Sequence, residues 1–475
     1  MKKFTVNTVL MNSPFRGFDN IREVYFIGIG GIGMSAIARF FQDKGVKVSG
    51  YDRTPTVLTS ELEAAGMAVH YEENPELVPV DADLVVYTPA IPASHRELEF
   101  YRNNGNRVVK RSDVLQMISE SSFNICIAGT HGKTTITTMT SHLLRASGFG
   151  CNAFLCGISV NYGTNSWTNE RNVCVIEADE YDRSFLKLSP DIAVITAMDA
   201  DHLDIYGNAE SVEQAFIDFS QRLKPGGLLL TQFALRRSAD LVAENRLTYS
   251  LQHSEADVYA DRLEKIDGGY RFDVVMRDNR IEGVRLNMGG MHNAENALAA
   301  ITVASSLGID NDSIRKAVES FRGIRRRFEY IIKDDRLAFV DDYAHHPEEL
   351  KALISGARGL FTDRKCTVIF QPHLFSRTRD FADGFAAALD LADEVILLPI
   401  YPARELPMPG VTSDLILDRM NLKAKAVKEK KALLDWMGQY AEGVDQAKGA
   451  LLITAGAGDI DTLLPGMKTI LAKNK

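Results

Sequence analysis

Seven consecutive residues, Gly129-Thr130-His131-Gly132-Lys133-Thr134-Thr135, set two glycines, a lysine and hydroxyls directly behind the apolar stretch Asn124–Ala128. A strand that runs into a glycine loop and then a helix converges backbone N–H groups on phosphate oxygens, and the helix dipole strengthens the attraction. In that arrangement Lys133 reaches the β- and γ-phosphates of a nucleoside triphosphate, and the Thr134 hydroxyl holds Mg2+. The common spacing, G-x-x-x-x-G-K-[ST], asks for glycine at position 127, where this chain has Ile127. The loop is therefore a shortened variant.

Gly28-Ile29-Gly30-Gly31-Ile32-Gly33 is a second candidate cradle. It follows the apolar stretch Val24–Ile27 and is matched by Asp52 about 20 residues on, the fingerprint of a dinucleotide fold. Its physics selects a diphosphate and a ribose hydroxyl rather than a nicotinamide, so NAD, FAD and other nucleotide diphosphates all satisfy it. Two anion cradles in one chain point to two nucleotide-bearing substrates, one of them ATP. A nicotinamide oxidoreductase and a nucleotide-driven motor stay open as readings of either loop alone.

Other residues could complete the chemistry, each against a plainer alternative. Glu177 follows the stretch Val173–Ile176, and a strand-end carboxylate beside a phosphate loop either serves the metal or is simply solvated. His202, in Asp199-Ala200-Asp201-His202-Leu203-Asp204, is a poor ligand for Mg2+, so a metal role for it implies tolerance of Mn2+. Asn293 and Asn296 open a helical stretch, where their amides cap the helix or grip a base. Arg325-Arg326-Arg327 is a solvated charge run, or it lends an arginine to a transferring phosphoryl group. Arg377 and Arg379, following Gln371-Pro372-His373, clamp a carboxylate or face water.

Sheets must present these residues. Strands are expected at Val24–Ile27, Val46–Gly50, Leu84–Tyr87 and Arg107–Val109, then at Asn124–Ala128, Val173–Ile176, Ala193–Thr196 and Leu228–Thr231. Tyr270–Met276 and Ile281–Met288 alternate like an antiparallel hairpin, and a helix is expected over Ala294–Leu307. Further strands at Leu337–Val340, Thr367–Phe370, Val395–Leu398 and Leu451–Thr454 each lie among helical stretches. Polar clusters follow several of them, notably Asp341–His346, Gln371–His373 and Gly456–Asp459, at the edge where open α/β sheets bind ligands. Strands alternating with helices imply an α/β fold of three domains, each a doubly wound, mostly parallel sheet. The expected divisions are a Rossmann-like domain over 1–119, a P-loop ATPase-like domain over 120–327 and a Rossmann-like domain over 328–475.

Length agrees with that division, since 475 residues at roughly 150 per domain make about three. The net charge of −9 argues against bulk nucleic-acid or anionic-membrane binding, while leaving room for local basic pockets. Cys126, Cys151, Cys156, Cys174 and Cys366 are odd in number and hold no CxxC, which reads as reduced thiols in a cytoplasmic protein. The most membrane-like run, Val24–Ala38, is too short to span a bilayer, and no secretory signal pattern is expected.

Read together, the ordered motifs resemble the Mur ligase family, the ATP-dependent amide ligases of peptidoglycan precursor synthesis. The resemblance runs through Gly28–Ser35, Gly129–Thr135, Glu177–Asp182, Asp201–Asp204, His292-Asn293, Phe321–Phe328, Asp341–Pro347, Phe370–His373 and Gly456–Gly458. It implies a cytoplasmic enzyme, monomer or dimer, that joins L-alanine to the lactyl carboxylate of UDP-N-acetylmuramate through an acyl phosphate. It also implies roles for residues. The UDP-sugar would lie on Gly28, Gly30, Gly31 and Gly33 with Asp52 near the uridine. ATP would lie on Gly129–Thr135 with Asn293 and Asn296 toward the adenine, Asp342 assisting, and Lys133 with Arg326 or Arg327 on the phosphates. Thr134, Glu177 and His202 would hold Mg2+. Tyr343, His345, Arg377 and Arg379 would form the amino-acid pocket, with His345 or His346 as base for the amine. Several relatives carry arginine where this chain has Leu374, so the carboxylate clamp here needs a different arginine pair.

Overall fold

The computed structural model describes residues 6–199, 203–403, 405–445 and 447–473. Its strands form three sheets. The first contains β1 (Glu23–Ile27), β2 (Lys47–Tyr51), β3 (Ala68–His70), β4 (Leu84–Tyr87) and β5 (Val108–Lys110), in the order β3-β2-β1-β4-β5. All its pairings are parallel. The strand order reverses beside β1, and the glycine loop leaves the C-terminal end of β1, where such a sheet opens a ligand crevice.

The second sheet comprises β6 (Phe123–Ala128), β7 (Asn152–Phe154), β8 (Ser166–Trp167), β9 (Val173–Glu177), β10 (Ile192–Ile195), β11 (Leu228–Gln232), β12 (Asn245–Ser250), β13 (Val258–Ile266), β14 (Gly269–Met276) and β15 (Asn279–Leu286). Their order is β15-β14-β13-β12-β11-β10-β6-β9-β7-β8. Here β6 pairs in parallel with both β9 and β10, so the phosphate loop again leaves a central strand between neighbours reached in opposite directions. Every residue of β6 is buried, as a strand covered on both faces requires.

The third sheet joins β16 (Glu329–Lys333), β17 (Leu337–Asp342), β18 (Lys365–Phe370), β19 (Glu394–Leu397), β20 (Lys425–Val427) and β21 (Ala450–Ala455) in the order β16-β17-β21-β18-β19-β20. It is parallel except for the β16–β17 edge pair. The expected mostly parallel α/β architecture is therefore present. The short or polar strands β3, β7, β8, β12, β13, β16 and β20 add to those expected, and the helix expected at Ala294 starts at Met291.

The chain divides into two compact units. One comprises residues up to Arg262 with Phe272–Val284 and Ala294–Ser320; the other comprises Leu263–Arg271, Arg285–Asn293 and residues from Phe321. Within the first unit, residues ahead of β1 act as a strap. The Asn172 N–H, at the entry to β9, donates to Met11 O at 2.9 Å. Phe18 stacks on Phe41 at 3.9 Å, Phe15 meets Phe40 edge-on, and Phe40 meets Phe154 of β7. Phe40 and Phe41 belong to the helix Ile32–Asp43 behind the glycine loop. One aromatic cluster thus joins elements of the first and second sheets.

Candidate active site

The phosphate loop is shaped by its glycines. Gly132 caps the helix Lys133–Ala146 in the left-handed region (φ 79°), and a Cβ there would lie 2.7 Å from Asn296 Oδ1. A Cβ on Gly129 would meet the Thr196 hydroxyl at 2.0 Å. The loop is tied to the end of β10: Thr130 N–H donates to Ala197 O at 3.2 Å, Asp199 N–H donates to Thr130 Oγ1 at 3.2 Å, and the Thr196 hydroxyl donates to His131 O. His131 itself is exposed, 3.4 Å from Asp199. Thr135 is buried in the first helical turn.

Lys133 Nζ donates to Gly129 O and to Glu180 Oε1, both at 2.7 Å. Glu180 is buried, and Tyr206 donates to its backbone carbonyl at 2.7 Å. Thr134 Oγ1 donates to Glu177 Oε1 at 2.8 Å, and Cys156 N–H donates to Glu177 Oε2 at 3.3 Å. A hydroxyl and a buried carboxylate beside a phosphate cradle are hard oxygen donors, which fit Mg2+ together with the waters and phosphates it retains. His202, the third expected ligand, lies outside the described residues. Among the described residues no group of three or more His, Cys, Asp or Glu is placed to hold a metal.

On the first sheet, Gly28 and Ile29 N–H donate to Tyr51 O at 2.8 and 2.9 Å, and Gly30 N–H donates to Asp52 Oδ2 at 2.7 Å. Asp52 therefore faces the glycine loop itself, and a Cβ on Gly30 would collide with it at 2.8 Å. Gly31 caps the helix that follows, and Gly33 leaves room for the Arg111 guanidinium.

The third sheet gathers a different set. Asp341 at the end of β17 is fully buried; Thr454 donates to its Oδ1 at 2.6 Å and Arg326 Nε lies 3.4 Å from its Oδ2. Burial pushes the Asp341 carboxyl up to about 7 despite Thr454 and Arg326, which pull it down. Burial likewise raises Asp342 to about 6, against the N–H groups of Phe328 and Ala344 that donate to it. Arg326 also donates to Gly456 O and Gly458 O and lies over the Tyr343 ring. This arginine acts here as a strut for the sheet edge, whereas Arg325 and Arg327 are exposed. The Asn293 amide donates to Gly289 O at 2.7 Å, so it caps its own turn.

Tyr343, His345, His373 and Tyr401 form a ladder of rings, with centroids 5.3, 6.2 and 5.9 Å apart in turn. His373 Nδ1 and Arg377 Nη1 are buried without a hydrogen-bond partner among the described residues. Burial, and then the nearby Arg377 and His345, hold the His373 pKa below its usual value. Arg379 points elsewhere: it pairs with Asp380 at 2.7 Å and is 55% exposed. Both arginines sit on the helix Phe375–Asp380, where residues two apart diverge by about 200°. His345 Nδ1 bonds Tyr343 O at 2.9 Å, and His346 caps the helix Pro347–Leu360. Leu374 holds a left-handed φ of 67°, its N–H bound to Tyr401 O at 2.9 Å, and this bend starts the helix that carries Arg377. An open cleft of about 420 Å³ adjoins this edge, with Gln371, Tyr401, Lys430 and Asp459 in its wall.

Three family models match the chain in order: Mur ligase family, catalytic domain, over 23–122; Mur ligase middle domain over 127–304; and Mur ligase, glutamate ligase domain, over 326–460. The chain belongs to the Mur ligase family. Within this family it is 45% identical over 460 residues to the UDP-N-acetylmuramate–L-alanine ligase of Flavobacterium johnsoniae, covering 96% of this chain and 99% of that one. The enzyme of the same name from Phocaeicola vulgatus is 46% identical over 463 residues, with the same coverage. Among solved Mur ligases, the UDP-N-acetylmuramate-alanine ligase of Thermotoga maritima superposes with a TM-score of 0.76 at 28% identity, over 95% of this chain and 98% of that one.

Three residues of this Mur ligase were not singled out in the sequence. Glu180 lies within the acidic stretch Glu177–Asp182, and a partly buried lysine in a phosphate loop needs such a partner. Arg111 directly follows β5, a basic residue at the ligand-binding edge of a sheet. His373 closes the polar cluster Gln371–His373 at a strand end, where the sequence assigns its imidazole no role of its own.

Proposed function

We propose that this Mur ligase joins L-alanine to the lactyl carboxylate of UDP-N-acetylmuramate in the cytoplasm, with conversion of ATP to ADP and phosphate. The observation that carries this reading is the near-full-length match to ligases of that name, in a chain whose two glycine loops each leave a central strand. The assignment of domains follows: 1–119 for the UDP-sugar, 120–327 for ATP and 328–475 for the amino acid. Among the described residues no helix is long and apolar enough to cross a membrane.

A carboxylate is a poor electrophile because its leaving group would be oxide. One lactyl oxygen attacks the γ-phosphorus and the bond to ADP breaks, giving an acyl phosphate. The amine of L-alanine then attacks the acyl carbon, the C–N bond forms, the nitrogen gives up one proton to His345 or His346, and phosphate leaves with the electron pair of the C–O bond. Lys133 binds the β- and γ-phosphates in exchange for Glu180, and the loop N–H groups hold the same oxygens. Thr134 and Glu177, with His202 as the resemblance implies, would hold Mg2+, which would spread charge from the γ-phosphate, and Mn2+ would be tolerated in its place. Asn296 flanks the phosphate loop, and the exposed Arg327 is the arginine assigned to the phosphates. Arg377 takes the alanine carboxylate, and Tyr343, His345 and His373 line its pocket.

Phosphate release tests this reading. It is expected only when ATP, UDP-N-acetylmuramate and L-alanine are all present, to stop on chelation by EDTA and to return with Mg2+. ATP hydrolysis that proceeds equally without either acceptor overturns the proposal. A panel of L-alanine, glycine, L-serine and the tripeptide L-alanyl-γ-D-glutamyl-meso-diaminopimelate should favour L-alanine, with glycine lower by only about 1–3 kcal/mol of discrimination.

A further inference from the structure

Arg111 lies between the two anion cradles. It opens the helix Arg111–Ser121 immediately behind β5, and its Nη1 sits 3.1 Å from where a Gly33 side chain would begin. With Glu177 it lines two small voids, one shared with Gly33 and Cys156, the other with Asp179. Glu177 in turn accepts from Thr134 at the head of the phosphate-loop helix. The guanidinium therefore reaches from the glycine loop of the first sheet toward the phosphate loop of the second, inside one compact unit.

Its surroundings leave it incomplete. The side chain is 20% exposed, and its ion pair among the described residues is to Asp179 at 4.0 Å, the long limit of such a contact. No hydrogen bond from its five donors to another described residue accompanies that pair. A mostly buried guanidinium is expected to have its donors satisfied, and its planar fork matches a carboxylate bidentately.

We propose that Arg111 binds the lactyl carboxylate of the UDP-sugar and holds it for phosphorylation, an assignment that rests on the ligase reading above. The substrate's diphosphate takes the glycine loop, so the group that must extend from there toward the γ-phosphate is the carboxylate. Arg111 grips one carboxylate oxygen while the other attacks the γ-phosphorus and ADP departs with the electrons of the broken P–O bond. Arg111 keeps its protons throughout.

Calorimetric titration of the full chain with two ligands tests the assignment. UDP-N-acetylmuramate and UDP-N-acetylglucosamine share the diphosphate and the sugar, and only the first carries the lactyl group. The wild type should bind the first more tightly. Arg111→Ala should weaken UDP-N-acetylmuramate roughly 10–100-fold and UDP-N-acetylglucosamine less than about 3-fold, with Arg111→Lys between. Retained binding of UDP-N-acetylglucosamine shows that the variant is folded. Equal losses for both ligands would make Arg111 a diphosphate contact and overturn the proposal, as would no loss for either. A wild type that binds both ligands alike also overturns it, while the ligase reading still stands or falls on phosphate release. A wild type that binds neither overturns the ligase reading itself.

Discussion

Lys133 Nζ lies 2.7 Å from Glu180 Oε1, and that carboxylate is 1% exposed. The phosphate loop thus keeps its cation on an internal anion, and a triphosphate must draw the lysine away from it. Removing Lys133 leaves the Glu180 carboxylate buried and alone, which is the costly way to break an ion pair.

Lys133→Ala should abolish phosphate release and also destabilise the protein by about 3–5 kcal/mol, because Glu180 loses its partner. Adding Glu180→Gln should return the stability without the activity. Urea unfolding and phosphate release measured on the single and double variants separate the two effects. Full activity in Lys133→Ala would remove the loop from the mechanism.

Arg377 and Arg379 should differ sharply. Arg377→Ala is expected to raise the KM for L-alanine about 10–100-fold, as the loss of a charged hydrogen-bond partner should. Arg379→Ala, which loses an exposed ion pair with its neighbour Asp380 and a long contact with the Met408 sulfur, should change it less than about 3-fold. Steady-state kinetics at saturating ATP decide the matter, and a reversed ranking would relocate the pocket.

Asp341 and Asp342 make stability depend on pH. Both carboxyls are raised above the ordinary value of 3.8, to about 7 and about 6, so the folded state binds more protons than the unfolded state across that range. Their contribution is greatest below about pH 4, falls as the pH rises toward 7, and is flat above. Asp341→Asn should therefore gain stability relative to the wild type between pH 5 and pH 8. Urea midpoints at the two pH values give the sign, and a relative loss would contradict the linkage.

Phe18→Ala should destabilise the first unit by about 3–5 kcal/mol, the usual cost of emptying a buried aromatic site. The ring is 5% exposed and stacked on Phe41. Differential scanning calorimetry should show the loss in the transition of that unit, with the transition of the other unit unmoved.

The parts of the fold legible in sequence were those whose physics is local. β1 and β6 are near-continuous apolar runs because both faces of each are covered, and the glycine loops behind them are forced by backbone approach that no side chain survives. β13 is hidden in sequence because Asp261, Arg262, Glu264 and Lys265 break its pattern in a strand that is mostly half-buried. The site was legible as an inventory of residue types but not as an arrangement. Nothing in Arg325-Arg326-Arg327 says that the middle guanidinium is taken by the carbonyls of Gly456 and Gly458, more than 100 residues away. In sequence Asn293 fits a cap or a base contact equally, and only the geometry turns its amide to Gly289. The choice of Glu180 rather than Glu177 as partner of Lys133 likewise depends on the bend after β9.

The amino-terminal strap bears on how the chain is made. Phe15 and Phe18 leave the ribosome early, but Asn172, which holds the strap through Met11, is added some 160 residues later. At about 5–20 residues per second that interval is roughly 8–30 s. During it the first sheet can pair its strands, while the strap waits for β9 to arrive. Phe15 and Phe18 can close on Phe40 and Phe41 as soon as the helix Ile32–Asp43 has formed, so the strap is held by aromatic stacking first and is tied to the second sheet only when Asn172 arrives.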